Sequence, residues 1–240
     1  DHGKVQEAIS AYKKAIAIKP DYAIAYSNLG NALGHRGMMV EALKAYKNSL
    51  SIAPDCAETN INLGLFLEKQ GKLNEAILAY DKAINIKPDS ADVFTNLGNI
   101  LRKKGRLPEA IAVYKKAITI QPGHAEAYNN MGVALYSEGN LKEAIEAYGK
   151  ALNIDPLFAS TYNNIFFSLQ AIKTKIPSET DLVSLYPDMT NSKYARIANS
   201  MLSFRLNQGK ENAKSLLEKV LSLSGKAENL VIKNSIKEKD

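Results

Sequence analysis

The sequence predicts an all-α protein, a solenoid of stacked antiparallel helix pairs. Pro20, Pro54, Pro88, Pro122 and Pro156 stand 34 residues apart, and a fixed period of this length marks a repeat architecture. Three further series keep the same step: Gly3, Gly37, Gly71, Gly105 and Gly139; Tyr12, Tyr46, Tyr80, Tyr114 and Tyr148; Ala8, Ala42, Ala76, Ala110 and Ala144. Inside each unit the apolar residues fall at helical spacing on two stretches, and no segment reads as a strand.

Taken in order, residues 1–20 hold the second helix of an incomplete unit, from about residue 4 to 18. Four regular units follow over 21–156, at 21–54, 55–88, 89–122 and 123–156. In the first, Tyr26, Leu29, Gly30 and Leu33 form one face of a helix from about Ala23 to Arg36, the i, i+3, i+4, i+7 spacing of a helix with one buried side. Gly37 supplies the left-handed residue that ends it. A second helix carries Ala42, Tyr46, Ser49 and Leu50 and stops before Pro54, which also turns Ala53 away from helix. A single hairpin cannot bury both its faces, so neighbouring hairpins must stack. Gly30, Gly64, Gly98 and Gly132, with Ala42, Ala76, Ala110 and Ala144, are expected to let the paired backbones touch. Each such glycine costs about 1 kcal/mol of helix propensity against alanine, so close packing is the better explanation.

The pattern then breaks. Tyr162 and Ile165 begin a fifth copy, but Phe166 stands where earlier copies have glycine and Pro177 where they have Glu41, Glu75, Glu109 and Glu143. Residues 157–193 are therefore a degenerate fifth repeat, with a short second helix expected from about Ser178 to Tyr186 because proline is tolerated only at a helix start. Residues 194–223 read as a degenerate capping repeat, and 224–240 as a polar tail or weak helix.

Composition excludes several classes. An apolar share of 45% with 23% charged residues rules out a disordered chain. Apolar runs are broken long before the roughly 20 residues that cross a bilayer, so no membrane role is expected. Thirty-one basic against 25 acidic residues give +6, of which 173–240 carry +4 (12 basic, 8 acidic); this names no partner. The single Cys56 cannot form an internal disulfide, which points to a reducing compartment and a cytoplasmic location. Residue 1 is Asp, and the native N-terminus is expected upstream.

Catalysis is not expected. His2, His35 and His124 are isolated, no metal-ligand spacing occurs, and Glu143 with Glu146 reads as a solvated face. Cys56 occupies a slot filled by Tyr22, Ser90, His124 and Phe158 in other copies, which reads as surface. No cofactor and no metal are expected.

Tyr128, Leu135, Gly139, Glu143, Ala144, Tyr148, Ala151 and Pro156, at a period of 34, resemble the tetratricopeptide repeat, a helix-turn-helix unit. The resemblance covers residues 1–173 and implies a right-handed superhelix with the first helices on its inner wall. It departs at the usual early tryptophan, replaced by Tyr26, Phe94, Tyr128 and Tyr162, and by Asn60, which is expected to pack worse.

The face of each first helix opposite its core stripe is the informative one. Ile24, Asn28, Asn31 and His35 lie about 180° from the core residues on a helical wheel. Their equivalents are Glu58, Asn62, Leu65 and Lys69; Asp92, Asn96, Asn99 and Lys103; Glu126, Asn130, Val133 and Ser137; Ser160, Asn164, Phe167 and Ala171. One column is constant: Asn28, Asn62, Asn96, Asn130 and Asn164 form a ladder, although asparagine costs roughly 0.6 kcal/mol in mid-helix. Three readings are open: contact with a ligand, hydrogen bonds between adjacent repeats, and inheritance from one ancestral unit. An amide both donates and accepts, so a row of them suits the backbone of an extended peptide. The expected groove comprises Asn28, Asn31, Asn62, Leu65, Lys69, Asn96, Asn99, Lys103, Asn130, Val133, Asn164 and Phe167.

The ladder resembles the peptide-binding arm of O-linked N-acetylglucosamine transferases. That resemblance implies an alternative, a substrate-recruiting arm of a larger transferase. Chaperone clamps of the family need basic residues beside the asparagines, whereas Ser27, Ile61, Thr95 and Asn129 precede the ladder and Glu58, Asp92 and Glu126 flank it. RNA binding is disfavoured by mixed charge and few stacking rings. The expected function is a protein-interaction scaffold holding an extended protein or peptide segment, not nucleic acid; self-association stays open.

Overall fold

The helices start and stop where the glycines and prolines direct. The computed structural model describes residues 2–155 together with Phe158, Ser160, Thr161, Asn164, Ile165, Phe167, Ser168 and Ala171. Among them lie α1 (His2–Ile18), α2 (Ala23–His35), α3 (Met39–Ile52), α4 (Ala57–Lys69), α5 (Leu73–Ile86), α6 (Ala91–Lys103), α7 (Leu107–Ile120), α8 (Ala125–Glu138) and α9 (Leu141–Ile154), with no strand. The fold is an all-α helical-repeat solenoid. The expectations for Tyr162, Phe166, Pro177, the helix over 178–186, the capping repeat and the tail lie outside the described residues.

Each hairpin turn is closed by the same device. Gly37, Gly71, Gly105 and Gly139 have φ of 79°, 72°, 74° and 87°, the left-handed region that a side chain would strain. The following amide then reaches back five residues: Met38 N donates to Leu33 O at 2.9 Å and Asn140 N to Leu135 O at 2.9 Å, the Schellman closure. At the other end of each hairpin, proline ends the second helix; Ala53, with φ −130° and ψ 82°, has already left the helix before Pro54.

The chain divides into two compact units between Pro122 and Gly123. In the first, α1 packs on α2, and α2 pairs with α3, α4 with α5, and α6 with α7, while α4 rests on α2 and α3 and α6 rests on α5. In the second, α8 pairs with α9. Ile165 joins Ala144, Ile145, Tyr148 and Leu152 in its core.

The tyrosine series fills these cores. Tyr46, Tyr80, Tyr114 and Tyr148 are 0–1% exposed, and burying one large side chain contributes about 1.5–3 kcal/mol. This corrects the expected role of the small residues. Ala42, Ala76, Ala110 and Ala144 are fully buried, but the glycines face the tyrosine rings rather than the alanines. A Cβ on Gly98 would lie 2.5 Å from Tyr114 Cε1, and one on Gly64 2.6 Å from Tyr80 Cε1. The ring stands one turn beyond the alanine and reaches across to the first helix, so glycine makes room for its flat face.

Asn60 is 1% exposed, with Nδ2 donating to Cys56 O at 3.0 Å and Oδ1 unpartnered. A buried acceptor without a donor is unfavourable.

Candidate functional site

In the first unit, α2, α3 and α4 enclose a cleft of about 530 Å³ lined by Asn31, Gly34, His35, Met39, Tyr46, Asn62, Leu65, Phe66, Lys69 and Gln70. Its place follows from one residue. Gly34 aligns with Glu68, Arg102 and Tyr136 in the next three copies, and the absence of a side chain at Gly34 makes room for a neighbouring ring from α4. Phe66 moves in behind it: a Cβ on Gly34 would meet Phe66 Cδ2 at 3.2 Å. The Phe66 ring leans on Tyr46 with centroids 5.5 Å apart.

The cleft joins three chemistries. Met39, Leu65 and Phe66 are apolar, Asn31 and Asn62 bring amides, and His35 with Lys69 holds one end. No acidic residue lines it. The Tyr46 hydroxyl donates to Asn31 Oδ1 at 2.6 Å, which leaves Asn31 Nδ2 without a partner among the described residues. Burial pushes the Tyr46 pKa up to about 12.

Four of the groove residues expected from sequence, Asn31, Asn62, Leu65 and Lys69, thus meet in one cleft. The others serve in different ways. Asn99 accepts from the Tyr114 hydroxyl at 2.7 Å, the counterpart of Asn31 with Tyr46. Copies two and four carry Leu65 and Val133 at that position. Tyr80 accordingly has a buried hydroxyl with no hydrogen bond of sound geometry; burial first, and the nearby Glu68 carboxylate second, raise its pKa. Glu68 itself pairs with Lys103, Nζ to Oε1 at 2.6 Å, joining α4 to α6. In the second unit Val133 packs against the core cluster, while Phe167 is 49% exposed.

The asparagine ladder divides. Asn62 Nδ2 donates to Ser27 Oγ at 3.4 Å, and Asn164 Nδ2 to Asn129 Oδ1 at 2.9 Å, each reaching the preceding repeat. Asn129 Oδ1 also accepts from the Thr161 hydroxyl at 3.0 Å, and its Nδ2 donates to Asn130 Oδ1 at 3.1 Å. Asn130 Nδ2 continues to Glu126 Oε1 at 3.3 Å. By contrast the half-buried amides of Asn28 and Asn96 make no side-chain hydrogen bond among the described residues. Bonding between repeats therefore accounts for part of the ladder and leaves Asn28 and Asn96 unexplained by the fold.

Two family models, described as TPR repeat and tetratricopeptide repeat, match residues 1–37, 67–101 and 98–139, and residues 23–56 and 125–158. Together they take in more than half of the chain. It belongs to the tetratricopeptide repeat family. Among solved structures this TPR chain is similar to MamA at 29% identity and a TM-score of 0.60, over 66% of this chain and 92% of MamA. It is also similar to YrrB, described as a TPR protein with an unusual peptide-binding site, at 23% identity and a TM-score of 0.59, over 79% of this chain and 97% of YrrB. No curated protein matches the sequence.

Sequence reasoning missed Gly34, Met39, Tyr46, Phe66 and Gln70 as parts of the TPR cleft. For Gly34 a signal was present: a glycine among Glu68, Arg102 and Tyr136 marks the copy with an empty position. No helix among the described residues is long and apolar enough to cross a membrane, and no group of three metal-ligating side chains is assembled there.

Proposed function

We propose that this chain is a non-catalytic protein-interaction module, which holds an extended peptide segment against the faces of its first helices and acts as a scaffold. The observation that carries the reading is the pair Asn28 and Asn96. Each places a half-buried amide without a side-chain partner in mid-helix, where asparagine is roughly 0.6 kcal/mol worse than alanine. Such a residue is a cost to the free protein and a gain once a peptide backbone supplies the missing donor and acceptor. Asn31, Leu65, Lys69 and Asn99 extend the face on α2, α4 and α6, and Asn130, Asn164 and Phe167 supply its counterpart in the second unit. The peptide site of YrrB belongs to that protein; here the reading rests on this chain's own residues. No observation favours the transferase-arm alternative over it.

The test is selection from a random linear peptide library on the full chain, followed by titration of single variants. Asn28→Ala and Asn96→Ala should leave stability unchanged or slightly raised and weaken binding by about 1–3 kcal/mol if the pairing is buried. Asn164→Ala should lower stability, because Asn129 loses a donor. Asn85 and Asn153, exposed on second helices, should not matter. Binding that survives both Asn28→Ala and Asn96→Ala would refute the reading.

A further inference from the structure

The cleft at Gly34 carries a more specific conclusion, which rests on the peptide-binding reading. We propose that it is a side-chain pocket for one large apolar residue of the bound segment, with a neighbouring carboxylate drawn to Lys69 and His35. A cleft of about 530 Å³ lies within the size range of ligand pockets. Met39 and Leu65, both 37% exposed, stand at its lip, and the buried Phe66 and Tyr46 lie deeper. These residues offer an inserted Leu, Met or Phe contact on several sides.

The amides at the lip fix how the segment lies. Asn31 has spent Oδ1 on the Tyr46 hydroxyl and keeps two Nδ2 donors. Asn62 has spent an Nδ2 proton on Ser27 and keeps Oδ1 as an acceptor. One donor and one acceptor, presented from adjacent first helices, match the C=O and N–H of a residue in extended conformation. The side chain of that residue then enters the cleft against Met39, Leu65 and the Phe66 ring that packs on Gly34.

Charge selects what flanks it. Lys69 makes no ion pair among the described residues, and it gives the pocket a cationic end, beside His35, that no lining carboxylate offsets. In the next copy Lys103 has lost this freedom to Glu68, and Glu68 is the residue that replaces Gly34 there. The residue of copy two at the Gly34 position, Glu68, therefore neutralises the cation that copy three supplies. Of these two lysines, Lys69 is the one left beside the cleft without an ion pair among the described residues.

The experiment uses the same random linear peptide library on three proteins: the full chain, Gly34→Arg, which installs the residue of copy three, and Lys69→Glu. The full chain should enrich peptides with a large apolar residue beside Asp or Glu. Gly34→Arg should lose that enrichment and bind the selected peptides roughly ten- to hundredfold more weakly, the factor expected for one buried apolar side chain. Lys69→Glu should keep the apolar preference and abolish the acidic one. Thermal melts check that each variant folds; if Gly34→Arg does not, Met39→Gln at the exposed lip takes its place and should reduce the apolar enrichment. If Gly34→Arg or its replacement enriches the same peptides while Asn96→Ala still weakens binding, the pocket is wrong and the peptide-binding face stands. If the full chain captures no peptide, both fall.

Discussion

The buried tyrosines offer an internal comparison, because one ring is repeated in four copies with different partners. Tyr46→Phe and Tyr114→Phe each remove a hydroxyl that donates to an asparagine, at 2.6 and 2.7 Å. Such a bond contributes about 0.5–1.5 kcal/mol net, and the half-buried asparagines recover part of the loss from water. Each variant should therefore be destabilised by about 1 kcal/mol. Tyr80→Phe removes a buried hydroxyl that makes no hydrogen bond of sound geometry, although the Glu68 carboxylate lies nearby. Deleting it lifts a desolvation penalty of about 1–3 kcal/mol, so this variant should be neutral or more stable. The assay is urea unfolding of the full chain followed by circular dichroism, read as midpoint shifts because repeat arrays need not unfold in one step. The sign difference between Tyr80→Phe and the other two is the diagnostic. Leu65→Asn, which supplies the missing acceptor, should stabilise the chain and should lose that gain in the Tyr80→Phe background. Should Tyr80→Phe prove as destabilising as Tyr114→Phe, Glu68 would be accepting that hydroxyl's proton and the reasoning would fail. Alkaline titration gives the same groups a second test. Burial raises the Tyr46 pKa from its ordinary 10 to about 12 and raises Tyr80 as well. The unfolded chain releases these protons first, so the stabilisation is complete below pH 10 and is lost as pH rises from 10 through 12.

Two further outcomes follow from the packing. Gly98→Ala should destabilise by about 1–3 kcal/mol through overpacking against Tyr114, although alanine is the better helix former; an unchanged or raised melting temperature would show that the ring yields. His124 is the one described residue whose side chain caps a helix, accepting from Ala127 N at 3.3 Å. His124→Ala should cost about 0.5–2 kcal/mol and His124→Asn much less, with faster hydrogen exchange confined to the first turn of α8 as the check.

How much of this was legible in the sequence depends on whether the signal was local. The period, the helix ends at Pro54 and Pro88, and the left-handed glycines Gly37, Gly71, Gly105 and Gly139 are local, and the structure follows them closely. Contacts across a hairpin are not local. Nothing in the spacing says that Gly98 faces Tyr114 rather than Ala110, since both lie on the buried side of the second helix and only the reach of the ring decides. The split of the ladder was half legible. Asn62 and Asn164 find Ser27 and Asn129 at 35 residues before them, whereas Asn96 finds the apolar Ile61 there. Reading the ladder against the column that precedes it would have separated bonded from unbonded asparagines. Cap chemistry at His124 carried no signal, because histidine is an uncommon cap and other copies hold Tyr22, Cys56 and Ser90 in its place.

The ion pair between Lys103 and Glu68 has a mechanical consequence. It spans the seam between α4 and α6, with Lys103 half exposed and Glu68 only 17% exposed, whereas the seam between α2 and α4 is tied by the uncharged contact of Asn62 with Ser27. The first unit is thus a row of unequal springs. Salt weakens a partly exposed ion pair, the screening length shortening from about 10 Å at 0.1 M to about 3 Å at 1 M, and leaves a neutral contact nearly untouched. Raising ionic strength softens the α4–α6 side of the row and not the α2–α4 side, so the stiffness of this unit is adjustable at one joint while the cleft beside the other keeps its width.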